Sequence, residues 1–109
     1  VISNMKTYAK GWTLTPDADC QDSLLDIAIN TRGTRLSTLA TFLMAAQRKS
    51  SPKSRMAYSQ TREVELRGSP NAFMQVDGDP VYFSGLAAIS IEPEAFKIHI
   101  PLTKQTESA

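Results

Sequence analysis

The sequence predicts a mainly β domain of the α+β kind, an antiparallel sheet or sandwich of short strands with one helix near residues 34–48. Three observations predict it. Several short runs alternate apolar with polar residues, glycine, proline and aspartate punctuate those runs, and one longer stretch spaces its apolar residues three and four apart. At 109 residues the chain is one domain or a piece of one, and 41% hydrophobic residues can build a small core.

Taken in order, Gly11-Trp12 reads as a turn followed by an aromatic core anchor. Leu24 to Asn30 alternates, with Leu25, Ile27 and Ile29 on one face of a strand. From Thr34 to Arg48 the residues Leu36, Leu39, Ala40, Leu43 and Ala46 recur at helical spacing, with Thr34 in position to cap the first turn. That stripe, with Phe42 and Met44 near it, is expected to pack on a sheet, a lipid-binding role being the alternative. Gln47 to Ser54 is basic, serine-rich and broken by Pro52, and reads as an exposed connector. Arg62 to Arg67 is a half-buried strand through Val64 and Leu66. Ala72, Met74 and Val76 lead into an acidic turn, and Val81 and Phe83 follow it. Ile89 and Ile91 mark a further strand, and Phe96, Ile98 and Ile100 the last. Thr103 to Ala109 is a polar tail, so the domain is expected to span 1–102.

Charge and composition exclude some functions. A formal net charge of +1 gives no strong pull towards nucleic acid or an anionic surface, and no nucleic-acid partner is expected. A single cysteine, Cys20, cannot form an internal disulfide, which fits a reducing compartment. No apolar run approaches the roughly 20 residues that span a bilayer. The chain opens at Val1 without a basic segment and an apolar one, so no signal peptide is visible.

Two acidic stretches can carry chemistry. In Gln75-Val76-Asp77-Gly78-Asp79-Pro80 two carboxylates flank a glycine. Such a turn concentrates negative charge that can hold a metal ion or accept a proton from a hydroxyl. It is equally a hairpin turn in which Asp and Gly supply backbone geometry and the charges are solvated. In Asp17 to Asp26 four carboxylates lie close together, the hard oxygen donors that divalent cations take, although the spacing is not that of a calcium-binding helical hand. A solvated acidic loop is the alternative. His99 is the one histidine, so no zinc set can be assembled, and its alternation with Ile98 and Ile100 turns it away from the core. Neither a nucleophile elbow nor a glycine-rich phosphate loop is present.

Motifs in chain order then resemble the C-terminal part of the diacylglycerol kinase family of lipid kinases. Val1-Ile2-Ser3-Asn4 with Tyr8-Ala9-Lys10-Gly11 is similar to the strand that ends in asparagine and runs to a glycine-rich turn. Leu14-Thr15-Pro16-Asp17-Ala18-Asp19 through Asp22-Ser23-Leu24-Leu25-Asp26-Ile27 resembles the family's proline-alanine segment and its Asp-Gly-Leu-Leu-Asp, with Ser23 in the glycine's place. Gln75-Val76-Asp77-Gly78-Asp79-Pro80 resembles the Asp-Gly-Glu signature, with Asp79 one methylene shorter than the usual glutamate. Pro93-Glu94-Ala95-Phe96-Lys97-Ile98 and Pro101 are similar to the closing strand.

The family includes bacterial diacylglycerol and phosphatidylglycerol kinase-like enzymes and the sphingosine and ceramide kinases. The resemblance implies the antiparallel β-sandwich-like C-terminal domain of a two-domain lipid kinase, cytoplasmic and peripherally membrane-associated. Its N-terminal nucleotide-binding domain is expected to lie outside this chain, which alone would be inactive. The resemblance implies that Asp79 is the catalytic base, that ATP and a lipid are substrates, and that Mg2+ is held by the Asp22 side chain with the backbone carbonyls of Asp19 and Leu24. A non-catalytic β-domain binding lipid or a protein is the alternative. Open sheet edges lead to an expected homodimer or strand exchange.

Overall fold

Alternation and turn chemistry produce nine short strands and one helix among the residues that the computed structural model describes, 1–8, 11–47, 56–95 and 97–98. In chain order these are β1 (Ile2–Ser3), β2 (Thr7–Tyr8), β3 (Trp12–Thr13), β4 (Leu25–Ile29), α1 (Arg35–Ala46), β5 (Ala57–Thr61), β6 (Glu63–Arg67), β7 (Met74–Val76), β8 (Asp79–Val81) and β9 (Leu86–Ser90). Every pairing among them is antiparallel: β1-β4-β5 form a three-stranded sheet, and β2-β3, β6-β9 and β7-β8 form pairs. The domain is therefore mainly β with a single helix among the described residues, as the patterning predicts for a β-sandwich-like fold.

One stretch of chain joins two of these sheets. β5 runs into β6 with only Arg62 between them, so the same segment pairs first with β4 and then with β9. The Thr61 hydroxyl donates to the Glu63 carbonyl at 2.9 Å, and Ile91 N donates to the Arg62 carbonyl at 3.0 Å. These bonds satisfy backbone groups that the bend takes out of the ladder. In β6 the expected Val64 and Leu66 are half-buried and face Ile89 and Ala87 of β9.

The main core is small. Leu14, Ala18, Leu25, Ala28 and Ala45 are buried, contributed by β4, the segment before it and one line of α1. Phe83 is buried apart from them, with its ring against Gly68.

Two predicted faces are corrected. Strand β4 does not bury Leu25, Ile27 and Ile29 together: Ile29 is 54% exposed, whereas Asp26 is 0% and Ala28 1% exposed. The face that carries Asp26 and Ala28 is the buried one, so an acidic residue occupies the interior side.

The helix likewise turns a different line inward. Thr34 caps it as expected, its hydroxyl accepting from Ser37 N at 3.2 Å. Yet the buried residues are Ser37, Thr41 and Ala45, four apart, while Leu36, Leu39 and Leu43 stand exposed. The inward line is thus made of small side chains, and the helix packs against β3. Their hydroxyls are satisfied without water: Thr41 donates to the Ser37 carbonyl at 2.9 Å, and Ser37 reaches Asn30. Trp12 and Phe42 meet beside this line with ring centroids 6.0 Å apart.

Strands β1, β2, β3 and β5 carry too little apolar alternation to be read from periodicity. The expected last strand falls mostly outside the described residues, where Phe96, His99 and Ile100 lie. Its described members, Lys97 and Ile98, are exposed and in no strand. Residues 48–54 of the expected connector and the 102/103 boundary with the polar tail also lie outside the described residues.

Candidate functional site

The hairpin that carries Asp79 is built by local turn chemistry. Val76 pairs with Asp79, leaving Asp77 and Gly78 as a two-residue loop. Their φ angles are +51° and +90°, so both sit in the left-handed region that this hairpin turn requires. Glycine adopts it without cost, and aspartate is among the few other residues that enter it readily. Asp79 opens β8 and is exposed. The register sets it on the same face as Met74, Val76 and Val81, directly after the two-residue loop. A carboxylate so placed can approach a hydroxyl presented from outside this hairpin.

The second acidic stretch folds back on itself before β4. Asp22 N donates to the Asp19 carbonyl at 3.3 Å, and the Asp19 carboxylate accepts from Gln21 N at 2.9 Å. The Asp22 carboxylate accepts from Leu24 N at 2.8 Å. Ser23 takes φ +58°, a left-handed conformation that glycine would hold more cheaply. Asp19 and Asp22 are both exposed, and Leu24 is half-buried at the entrance to β4. The structure thus brings Asp19, Asp22 and Leu24 into one turn, while Asp79 stands on a separate two-stranded hairpin.

Strands β4 and β5 share a polar cluster, joined to Asp17, that sequence reasoning did not single out. Asp26, fully buried on the central strand, accepts through Oδ1 from the Tyr58 hydroxyl at 2.5 Å and from Gln60 Nε2 at 3.0 Å. The Tyr58 oxygen in turn accepts from Asp17 N at 3.2 Å. Desolvation, then the hydrogen bond to Asp26, push the Tyr58 phenol well above its ordinary pKa. Asp26 Oδ2 is buried and has no hydrogen-bond partner among the described residues. The signal that could have found this cluster is a charged residue set inside the otherwise apolar run Leu24 to Ile29.

The acidic turn suits a hard divalent cation in its donor chemistry. Carboxylate and carbonyl oxygens are what Mg2+ takes, usually one or two carboxylates with waters completing the shell. The buried Asp26 carboxylate, with one oxygen unpartnered two residues from Leu24, adds negative charge that a cation in the turn would offset. No group of three or more His, Cys, Asp or Glu side chains converges to hold a metal among the described residues. Any cation here would therefore lean on backbone carbonyls and water as well as on Asp22.

Elsewhere, a groove of about 180 Å3 lies between α1 and the sheet, lined by Leu14, Ala28, Thr41, Phe42 and Met56 among others. No helix among the described residues is long and apolar enough to cross a membrane.

Residues 1–100 match the family described as the YegS C-terminal NAD kinase beta sandwich-like domain. No curated protein and no solved structure matches the chain.

Proposed function

The chain belongs to the family of YegS C-terminal NAD kinase beta sandwich-like domains, a kinase family, and from that premise we propose that it is the C-terminal domain of an ATP-dependent lipid kinase. The enzyme transfers the γ-phosphate of ATP to the hydroxyl of a diacylglycerol-like lipid. A nucleotide-binding domain N-terminal to this one supplies the ATP site, and the reaction runs in the cleft between them, at the surface of a membrane in the cytoplasm. The observation that carries this reading is the exposed Asp79 carboxylate, set directly after the two-residue turn of the β7-β8 hairpin.

Asp79 acts as the base. As the lipid oxygen attacks phosphorus its proton becomes acidic, and a carboxylate within hydrogen-bond reach takes it, for a typical gain of about 10²–10⁴-fold. The left-handed pair Asp77-Gly78 fixes where β8 begins and so where Asp79 stands. The Asp22 side chain and the carbonyls of Asp19 and Leu24 would hold Mg2+, which supplies local charge neutralisation in the turn. Further partners in this reading are the lipid surface and a second copy of the chain along an open sheet edge.

A second reading, a non-catalytic domain that binds lipid or protein, is favoured by the exposed apolar line Leu36, Leu39 and Leu43. The test is phosphate transfer from ATP to a panel of lipids by the full reading frame with magnesium, beside its Asp79→Asn version. Transfer that collapses in the variant supports the kinase with Asp79 as base. Undiminished transfer keeps the kinase and removes Asp79 from that role. Lipid binding by folded full-length protein without any transfer selects the second reading.

A further inference from the structure

The Tyr58 hydroxyl is not needed to pair β5 with β4. The backbone register Ala28 to Tyr58 and Asp26 to Gln60 does that, and a phenylalanine ring would fill the same space. What the hydroxyl adds is a link between two parts of the chain far apart in sequence. A carboxylate oxygen only accepts, so the phenol proton is directed to Asp26, and the phenol oxygen is left to accept from Asp17 N. Asp17 opens the acidic turn, and Leu24 closes it one residue before β4. The far end of the turn is thus fixed by the strand that carries Asp26, and the near end by Tyr58 standing on Asp26.

Thr15 and Ala18 are packed inside at 2% exposure each, and Ala18 N donates to the Thr15 carbonyl at 3.1 Å, so the approach to the turn is buried as well. Asp26 pairs with no cation among the described residues, and both of its hydrogen bonds fall on one oxygen. A buried charge so incompletely satisfied costs stability, while neighbouring elements over-determine its position. The arrangement suits a fixed post more than a stabilising ion pair.

We propose that Asp26 and Tyr58 are positioning residues for the acidic turn: the phenol, oriented by the buried carboxylate, sets the Asp17–Leu24 segment and thereby the oxygens of Asp19, Asp22 and Leu24. The functional weight of this pin rests on the reading of that turn as a divalent-cation site, but the pin itself can be tested without metal.

The experiment is hydrogen exchange by mass spectrometry on the full-length protein and its Tyr58→Phe variant, in the absence of divalent cations. Loss of a hydrogen bond of about 1.4 kcal/mol predicts roughly tenfold faster exchange in the peptide covering residues 17–24. Peptides from β6 and β9 should keep their wild-type rates. Unchanged exchange over 17–24, or equal acceleration everywhere, overturns the proposal. A second arm uses Mn2+ as probe, read by its electron paramagnetic resonance. Binding should weaken several-fold in Tyr58→Phe and vanish in Asp22→Asn. Wild-type affinity in Tyr58→Phe alongside loss in Asp22→Asn overturns the positioning of the ligands. No Mn2+ binding by the wild type overturns the cation reading instead, and the exchange arm then decides the pin.

Discussion

The Asp77-Gly78 turn and the Asp19–Leu24 turn both present carboxylates, and both use left-handed backbone, at Asp77 and Gly78 in one and at Ser23 in the other. Their supports differ. The hairpin turn is held by its own two-residue geometry and the β7-β8 register. The acidic turn is held partly by its own carboxylates and partly by Tyr58, which arrives from β5 and stands on a buried aspartate. A locally built turn places one carboxylate at an exposed tip, where it can meet a substrate brought from outside. A tertiary pin suits a site that must keep several oxygens in fixed relation.

The largest effect expected from breaking this comparison is on chemistry at the hairpin. Asp79→Asn keeps the size and the turn but cannot take a proton, so phosphate transfer by the full-length protein should fall about 10²–10⁴-fold. The thermal midpoint should stay within the range of an exposed surface change, about 0.5 kcal/mol. Steady-state kinetics and calorimetry on the same preparation check both halves. A large loss of stability instead would mean that Asp79 is structural.

At the other turn the order reverses, with stability affected first. Asp26→Ala removes the acceptor of two hydrogen bonds and leaves Tyr58 and Gln60 without it. The expected cost is about 2 kcal/mol, or roughly 8–16 °C in thermal midpoint for a domain of this size. A pH series on Tyr58→Phe sharpens the point. Burial and the Asp26 hydrogen bond raise the folded-state pKa of Tyr58, so the neutral phenol is favoured by folding. Its contribution is fully present below the unfolded value near 10 and is lost as pH rises through the higher folded value. The stability advantage of wild type over Tyr58→Phe should therefore be flat from neutral to about pH 10 and shrink above it. An advantage that grows with alkalinity would contradict the hydrogen-bond assignment.

Gly78→Ala probes the hairpin's dependence on local geometry alone. No atom lies within 4 Å of the position a Cβ would take, so the only penalty is backbone, at φ +90°. The expected loss is about 1 kcal/mol, read as a modest shift in denaturant midpoint. A loss of several kcal/mol would show that the hairpin tip is packed in the full-length protein.

These differences explain what could be read from the sequence. The hairpin was legible because Asp-Gly between alternating residues states its own backbone conformation. Val64 and Leu66 of β6 were legible because a half-buried strand writes its burial as alternation. β5 was not, since Ala57, Tyr58, Ser59, Gln60 and Thr61 show no apolar alternation and earn their place through pairing with β4. The role of Asp26 was hidden for a related reason. The hydrogen-bond partners of this buried carboxylate lie 32 and 34 residues away, and periodicity weighs only apolar residues. The acidic turn was recognisable as a cluster of oxygen donors, but its anchoring was not.

The smallest expected effect tests the face of α1. Spacing places Leu36, Leu39 and Leu43 on the sheet, whereas the structure buries Ser37, Thr41 and Ala45 and leaves Leu39 55% and Leu43 58% exposed. If leucine packed inside, truncation would leave a cavity and cost about 2–5 kcal/mol per site. With the observed face, Leu39→Gln and Leu43→Gln should each change stability by no more than about 0.5 kcal/mol, since glutamine is nearly as good a helix former. Thr41→Leu should do the opposite. It forces a larger side chain into a position 4% exposed and deletes a bond to the Ser37 carbonyl, costing about 1–3 kcal/mol. Urea titrations of the three variants, with the slope held constant, decide which line of the helix meets the sheet. The same leucine variants then report on function: an exposed line that contributes nothing to stability and yet lowers lipid binding would be a contact surface, while one that affects neither is solvated helix.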